Sequence, residues 1–166
     1  MTDKQPANTP AATAAVARFI ADTPASAIPD EIIELAKKVI ADSFAAILSG
    51  VNSELGDPMR AYLADTPDGD CRVLGTARCA PATLAAFVNG TYSAALDYDD
   101  LMTPMHPSAV IVAALCAAVG RGAGANVAKV SGRQFIEAYV IGLEVGARLA
   151  DALTRDHSNR GFHATA

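Results

Sequence analysis

Apolar residues recur at helical spacing along most of this chain, separated by short polar stretches. The clearest pattern begins at Pro29 and ends at Gly50, with apolar residues every three or four positions. Proline suits a first helical turn, and Asp30 and Glu31 suit the positive end of the helix dipole. Similar patterns predict further helices over 11–21, 59–64, 81–95, 108–119 and 132–153.

Two stretches break the helical pattern. Residues 66–70 combine Thr, Pro, Asp and Gly as turns do, and 71–75 then form a short strand candidate. The pair Asn89-Gly90 lies inside the pattern over 81–95, so we expect that helix to be interrupted or kinked there.

The longest predicted helix has clear signals at its start and along its length. Ser131 and Gln134 have the spacing of a capping box, in which each side chain bonds the other residue's backbone amide. Gly142 and Gly146 leave room for a neighbouring helix to approach. The glycine-rich residues 120–124 predict a loop before this helix.

Composition agrees with helices packed closely on one another. Apolar residues make up 51% of the 166, aromatic residues only 5%, and alanine is abundant, which favours helices over sheets. We therefore predict an all-α fold, a helical bundle-like domain with at most one small β-hairpin. Residues 1–9 are polar and contain proline, and we expect them to form a flexible N-terminus.

Charge and cysteine usage exclude several classes of protein. The net charge of −5 argues against a nucleic-acid or anionic-membrane surface, although a local field can still attract a small anionic substrate. The most apolar run, 109–119, is about half the ~20 residues that a membrane-spanning helix needs. Three cysteines without a CxxC pair, and no signal-peptide pattern in residues 1–10, predict a cytoplasmic protein with reduced thiols.

A polar run lies between two alanine-rich segments. It consists of Asp97-Tyr98-Asp99-Asp100, followed by His106 before a proline, and a further histidine, His163, lies near the end of the chain. Carboxylates and imidazoles are the side chains that move protons near neutral pH. The hypothesis is a polar pocket in an apolar core, with Asp97 turned inward to hold the His106 imidazole or to contact substrate.

Two other interpretations of the acidic run remain open. In one, the aspartates bind a metal ion, but diphosphate-binding helical enzymes need a second acidic cluster, and none is evident. A calcium loop starting at Asp97 also fails, because Met102 and Ser108 occupy its glycine and bidentate glutamate positions. In the second interpretation, the aspartate carboxylates cap the helix that begins at Ser108.

Together these segments resemble the MmgE/PrpD family, which includes 2-methylcitrate dehydratase and cis-aconitate decarboxylase. The matching pieces, in chain order, are 41–44 through 49–50, 88–91 leading into 96–100, 106–108, 141–145 through 148–149, and 161–165. Each piece is weak alone, but their order and spacing extend over nearly the whole chain from about Ala11.

The resemblance implies that residues 10–166 are the N-terminal part of an all-helical domain, completed downstream in longer family members. It implies an active site whose catalytic residues include Asp97, His106 and His163, with Tyr98 and Asp100 as candidate substrate-binding residues. Basic residues, notably lysines, would come from the downstream part. The resemblance also implies a homodimer that uses neither a metal nor an organic cofactor.

The resemblance implies a lyase of the 2-methylcitrate dehydratase type, acting on a small di- or tricarboxylic acid and inactive as this N-terminal fragment alone. Two departures from the family pattern put the substrate's identity in question. Relatives often have threonine in place of Leu101, and the loop to His106 is short. Decarboxylation or epimerisation of a related acid is an alternative. A non-enzymatic alternative is a truncated helical module for interaction or oligomerisation.

Overall fold

The computed structural model describes residues 11–102, 105–120, 129–153, 157, 159–163 and 165, and these form a mostly helical fold. In chain order the elements are α1 (Ala12–Asp22), a 3-10 turn (Ala25–Ala27), α2 (Asp30–Gly50), α3 (Gly56–Ala64), β1 (Cys71–Arg72), β2 (Cys79–Ala80), α4 (Ala82–Ala94), α5 (Pro107–Gly120) and α6 (Gly132–Ala152). This confirms the predicted all-α class with one small hairpin. The predicted flexible N-terminus, 1–9, lies outside the described residues.

The core is formed where α2, α4, α5 and α6 meet. Ile47, Val88, Val112 and Tyr139, one from each of these helices, have no solvent-exposed surface. α4 lies between α2 and α5, and α5 in turn packs on α6. No helix among the described residues is long and apolar enough to cross a membrane.

Small residues allow these helices to pack closely. Gly50, at the end of α2, lies against the backbone of Tyr92 in α4. Gly142 of α6 faces Ile111 of α5, as predicted for a close helix approach, whereas Gly146 faces Met105 of a loop. Glycine at these positions therefore allows the close contacts.

The hairpin is joined to α4 by a buried asparagine. Asn89 is fully buried, its side-chain oxygen accepts a hydrogen bond from the Leu74 amide at 2.9 Å, and its amide nitrogen donates to the Arg72 carbonyl at 3.1 Å. The predicted interruption at Asn89-Gly90 is wrong, because α4 is continuous through both residues. Both residues make contacts outside their own helix. Asn89 forms hydrogen bonds with the hairpin backbone, and Gly90 faces Ala109 of α5.

Replacing Asn89 with alanine is expected to lower the free energy of unfolding by about 2 kcal/mol, because two partly buried backbone groups would lose their partners. Urea unfolding measures this loss. The matched control is Thr91→Ala in the same helix, whose hydroxyl donates to the Phe87 carbonyl one turn away. Equal unfolding midpoints for the two variants would contradict the role given to Asn89.

Other helix boundaries follow the sequence closely. The predicted capping box is confirmed: the Ser131 hydroxyl accepts from the Gln134 amide, and the Gln134 side chain accepts from the Ser131 amide. α3 begins at Gly56, three residues before the predicted start. Gly120 is the last residue of α5, and the rest of the predicted glycine loop lies in 121–128, outside the described residues.

Candidate active site

The loop between α4 and α5 carries the acidic run. Asp97 has a φ of 53°, in the left-handed region, and its amide donates to the Ala94 carbonyl at 3.2 Å as the chain leaves α4. Aspartate is among the few non-glycine residues that tolerate this conformation. Asp97 therefore forms the turn that ends α4. This turn explains an aspartate at position 97 without the predicted catalytic role, which stays a prediction.

Asp100 fixes the other end of the loop to α5. Its carboxylate accepts from the Ser108 amide at 3.1 Å and from the Ser108 hydroxyl at 2.7 Å, and that hydroxyl lies 2.7 Å from the Tyr139 hydroxyl of α6. Because the Ser108 proton goes to the carboxylate, Tyr139 donates to Ser108. Burial raises the pKa of Tyr139, which keeps its proton in place.

The helix-capping interpretation therefore holds for Asp100. Both of its carboxylate oxygens are engaged by Ser108, so its substrate-binding role stays a prediction. Tyr98, the other candidate substrate-binding residue, is 52% exposed at the protein surface.

Two methionines close the base of the loop before His106. The Met102 amide donates to the Met105 carbonyl at 2.8 Å, and the Met105 amide donates back to Met102 at 2.6 Å. The Met105 side chain reaches Gly146 of α6. Met105 thereby fixes the backbone immediately before His106 against α6.

Asp99 is the carboxylate that faces His106. Its side chain is 2% exposed, and its Oδ1 lies 3.4 Å from Nδ1 of His106. The expected inward position of Asp97 is wrong in this respect, because Asp97 is exposed at the edge of the same cluster. Burial raises the pKa of the Asp99 carboxyl, and the neighbouring imidazole of His106 opposes this rise.

The structure brings His163 beside His106 although they are far apart in the sequence. Their rings are stacked with centroids 5.8 Å apart and planes inclined by 28°. Thr165 links them, since its hydroxyl accepts from the His106 amide at 2.7 Å and its own amide donates to Nδ1 of His163 at 3.3 Å. Two imidazoles and a buried carboxylate thus lie together and could donate and accept protons.

Within the described residues, Asp97, Asp99 and His106 could hold a metal ion. Each offers one ligand atom, and the three atoms lie within 4.8 Å of one another. Imidazole and carboxylate groups together suit divalent transition metals. The expectation that the protein uses no metal or organic cofactor stays a prediction.

An apolar groove of about 700 Å³ runs between α4 and α5 beside the histidines. Its lining consists of Thr83, Ala86, Phe87, Gly90, Thr91, Ala94, Ala109, Val110, Ala113, Ala114, His163 and Thr165. Among the described residues that line it, none is lysine or arginine. Cations that neutralise an anionic substrate would therefore have to come from outside the groove.

Sequence reasoning missed Asp99 as the partner of His106, Thr165 as the link to His163, and Tyr139. Asp99 and Thr165 lie inside the segments already singled out, but nothing there distinguishes them from their neighbours. Tyr139 lies in α6 without any polar neighbour that would mark it, so only the packing of α5 on α6 reveals its bond to Ser108.

These features define a helical domain that collects two histidines and a buried carboxylate at one end of a helix pair. A sequence profile of the MmgE/PrpD N-terminal domain matches residues 14–166. The chain therefore belongs to the MmgE/PrpD family.

Two fungal proteins are similar to this chain. A cis-aconitate decarboxylase-like protein, oryM, of Aspergillus oryzae is 31% identical in an alignment of 157 residues that covers 92% of this chain and 33% of that protein. A cis-aconitate decarboxylase of Aspergillus terreus is 28% identical in an alignment of 158 residues that covers 93% of this chain and 32% of that protein. The chain spans about a third of the length of the curated relatives it matches.

Proposed function

We propose that this chain is part of a lyase that acts on a small di- or tricarboxylic acid. The observation that carries the proposal is the stacked pair of His106 and His163 with the carboxylate of Asp99 beside it. Membership of a family with cis-aconitate decarboxylases among its members supports the same reaction class.

The chemistry of such lyases needs groups that accept and donate protons. In dehydration, a base removes a proton from the carbon next to a carboxylate, and the C–H electron pair forms the double bond. The hydroxyl group leaves as water after an acid protonates its oxygen. In decarboxylation, carbon dioxide leaves, the C–C electron pair stays on carbon, and an acid protonates that carbon. Histidine titrates near neutral pH and suits both roles.

Two observations bear on which of these reactions takes place. The family resemblance implies dehydration of the 2-methylcitrate type, whereas both relatives above are named for cis-aconitate decarboxylation or as resembling such an enzyme. These names support decarboxylation, which is the second candidate reaction. Epimerisation would need only proton removal and return, and the same histidines could perform both steps.

We also propose that residues 10–166 are the N-terminal part of a helical domain of a longer, homodimeric, cytoplasmic enzyme. The described residues that line the groove beside the histidines include no lysine or arginine, so a carboxylate substrate needs such residues from elsewhere. This supports the view that the 166 residues are inactive alone.

The test is product analysis with the protein at its full natural length. 2-Methylcitrate and cis-aconitate are incubated with it, and products are identified by NMR while carbon dioxide release is followed. Water loss supports a dehydratase and carbon dioxide release a decarboxylase. A folded protein that transforms neither acid and gives no epimer would contradict the proposed function.

The exposed apolar surface favours the non-enzymatic alternative of an interaction module. Phe87 is 53% exposed and Val110 49% exposed, both in the groove between α4 and α5. Exposed apolar patches of this kind often mark contact surfaces. Light scattering on the 166 residues tests for association through this surface, since a well-folded monomer without exposed hydrophobic surface would argue against both a fragment and a module of this kind.

A further inference from the structure

The Nδ1 atoms of the two stacked histidines face opposite kinds of partner. Nδ1 of His106 lies 3.4 Å from Oδ1 of Asp99, and an ionised carboxylate only accepts hydrogen bonds. Nδ1 of His163 lies 3.3 Å from the backbone amide of Thr165, which only donates. A neutral imidazole carries one proton, so its partner at one nitrogen decides which nitrogen holds it.

We propose that these partners fix the two histidines in opposite tautomers. Asp99 keeps the proton of His106 on Nδ1, which leaves Nε2 unprotonated as a proton acceptor. The Thr165 amide keeps Nδ1 of His163 unprotonated, which places the proton on Nε2 as a donor. The stacked pair then presents one proton acceptor and one N–H donor at a centroid separation of 5.8 Å.

Burial makes Asp99, and not Asp97, the residue that controls His106. The Asp99 side chain is 2% exposed, and its Oδ2 has no hydrogen-bond partner among the described residues. The His106 imidazole is the side chain that faces its other oxygen, Oδ1. Asp97 is exposed to water, and Asp100 is engaged by Ser108.

The 3.4 Å separation is somewhat longer than a normal hydrogen bond. Nδ1 of His106 is buried and has no hydrogen-bond partner among the described residues, so a small approach of the two groups would satisfy both. Catalytic hydrogen bonds are often long in unliganded sites and shorten when substrate binds. Asp99 acts through His106 and is a positioning residue.

The tautomers can be read directly by NMR on the protein at its full natural length, labelled with ¹⁵N in histidine only. Long-range ¹H–¹⁵N spectra, recorded at a pH where both rings are neutral, distinguish a protonated ring nitrogen from an unprotonated one. His106→Gln and His163→Gln assign the signals. We expect the proton on Nδ1 in His106 and on Nε2 in His163.

Asp99→Asn is the decisive variant, because the asparagine amide can donate to Nδ1 and reverse the tautomer of His106. The matched control is Asp97→Asn, which should leave the tautomer unchanged. The proposal would be overturned if both wild-type histidines had the same tautomer. It would also be overturned if His106 kept its wild-type tautomer in Asp99→Asn. If Asp99→Asn does not fold, the wild-type spectrum alone decides.

The use of these tautomers in catalysis rests on the proposed function, and a separate measurement tests it. Asp99→Asn is expected to lower kcat about 100-fold with little change in KM, because His106 would hold its proton on the wrong nitrogen. A reversed tautomer with unchanged kcat would overturn the catalytic role while the tautomer assignment stands. Absence of activity in the wild-type protein would instead count against the proposed function.

Discussion

Replacing His106 with alanine is expected to lower kcat/KM of the proposed lyase by about 10²–10⁴-fold, the usual contribution of a general acid or base. His106 is the imidazole that contacts both the buried Asp99 and the second histidine, so its loss removes the centre of the cluster. The measurement is steady-state kinetics on the protein at its full natural length. Circular dichroism should show that the helices are retained.

The matched control for His106 is His157→Ala. His157 has its ring 5.5 Å from that of Phe162, and it takes no part in the contacts that the described residues make around Asp99. Its replacement should change kcat/KM little. Full activity in His106→Ala would remove this histidine from the reaction and with it the proposed site.

Replacing Gly50 with alanine is expected to destabilise the fold by about 3 kcal/mol, which corresponds to a fall in Tm of roughly 10 °C for a chain of this size. A Cβ on Gly50 would lie 1.9 Å from the carbonyl oxygen of Tyr92 and 2.6 Å from its carbonyl carbon. These are backbone atoms in the middle of the core, so α2 and α4 would have to separate. Thermal and urea unfolding measure the loss.

Gly132→Ala provides the comparison, because Gly132 also lies in a helix and a Cβ there meets nothing within 4 Å. Alanine is favoured over glycine in helices by up to about 1 kcal/mol, so this variant should be as stable as the wild type or slightly more stable. If the two variants had equal Tm values, the close crossing of α2 and α4 would be wrong.

The helices could be predicted because their signals are local. Pro29 and Gly50 mark the ends of α2, and Ser131 with Gln134 marks the start of α6, all through backbone preferences that neighbours in sequence decide. The predicted break of the helix at Asn89 is wrong because an asparagine before a glycine usually indicates a turn. Here its two hydrogen bonds to the hairpin, which no local pattern reveals, outweigh that preference.

The candidate site was predictable in its composition and not in its geometry. The acidic run and the histidine before a proline are visible in the sequence, and the structure places His163 beside them. Which aspartate turns inward depends on where α4 ends and on the left-handed turn at Asp97. The anchoring of Asp100 through Ser108 to Tyr139 depends on how α5 packs on α6.

The reciprocal hydrogen bonds between Met102 and Met105 have an evolutionary consequence. They join the two sides of the loop just before His106, so the chain between them can change in length or sequence while the backbone on either side stays paired. Insertions and deletions are tolerated best at such points. Descendants of this protein could therefore change the sequence between the two methionines while Asp99 and His106 keep their positions.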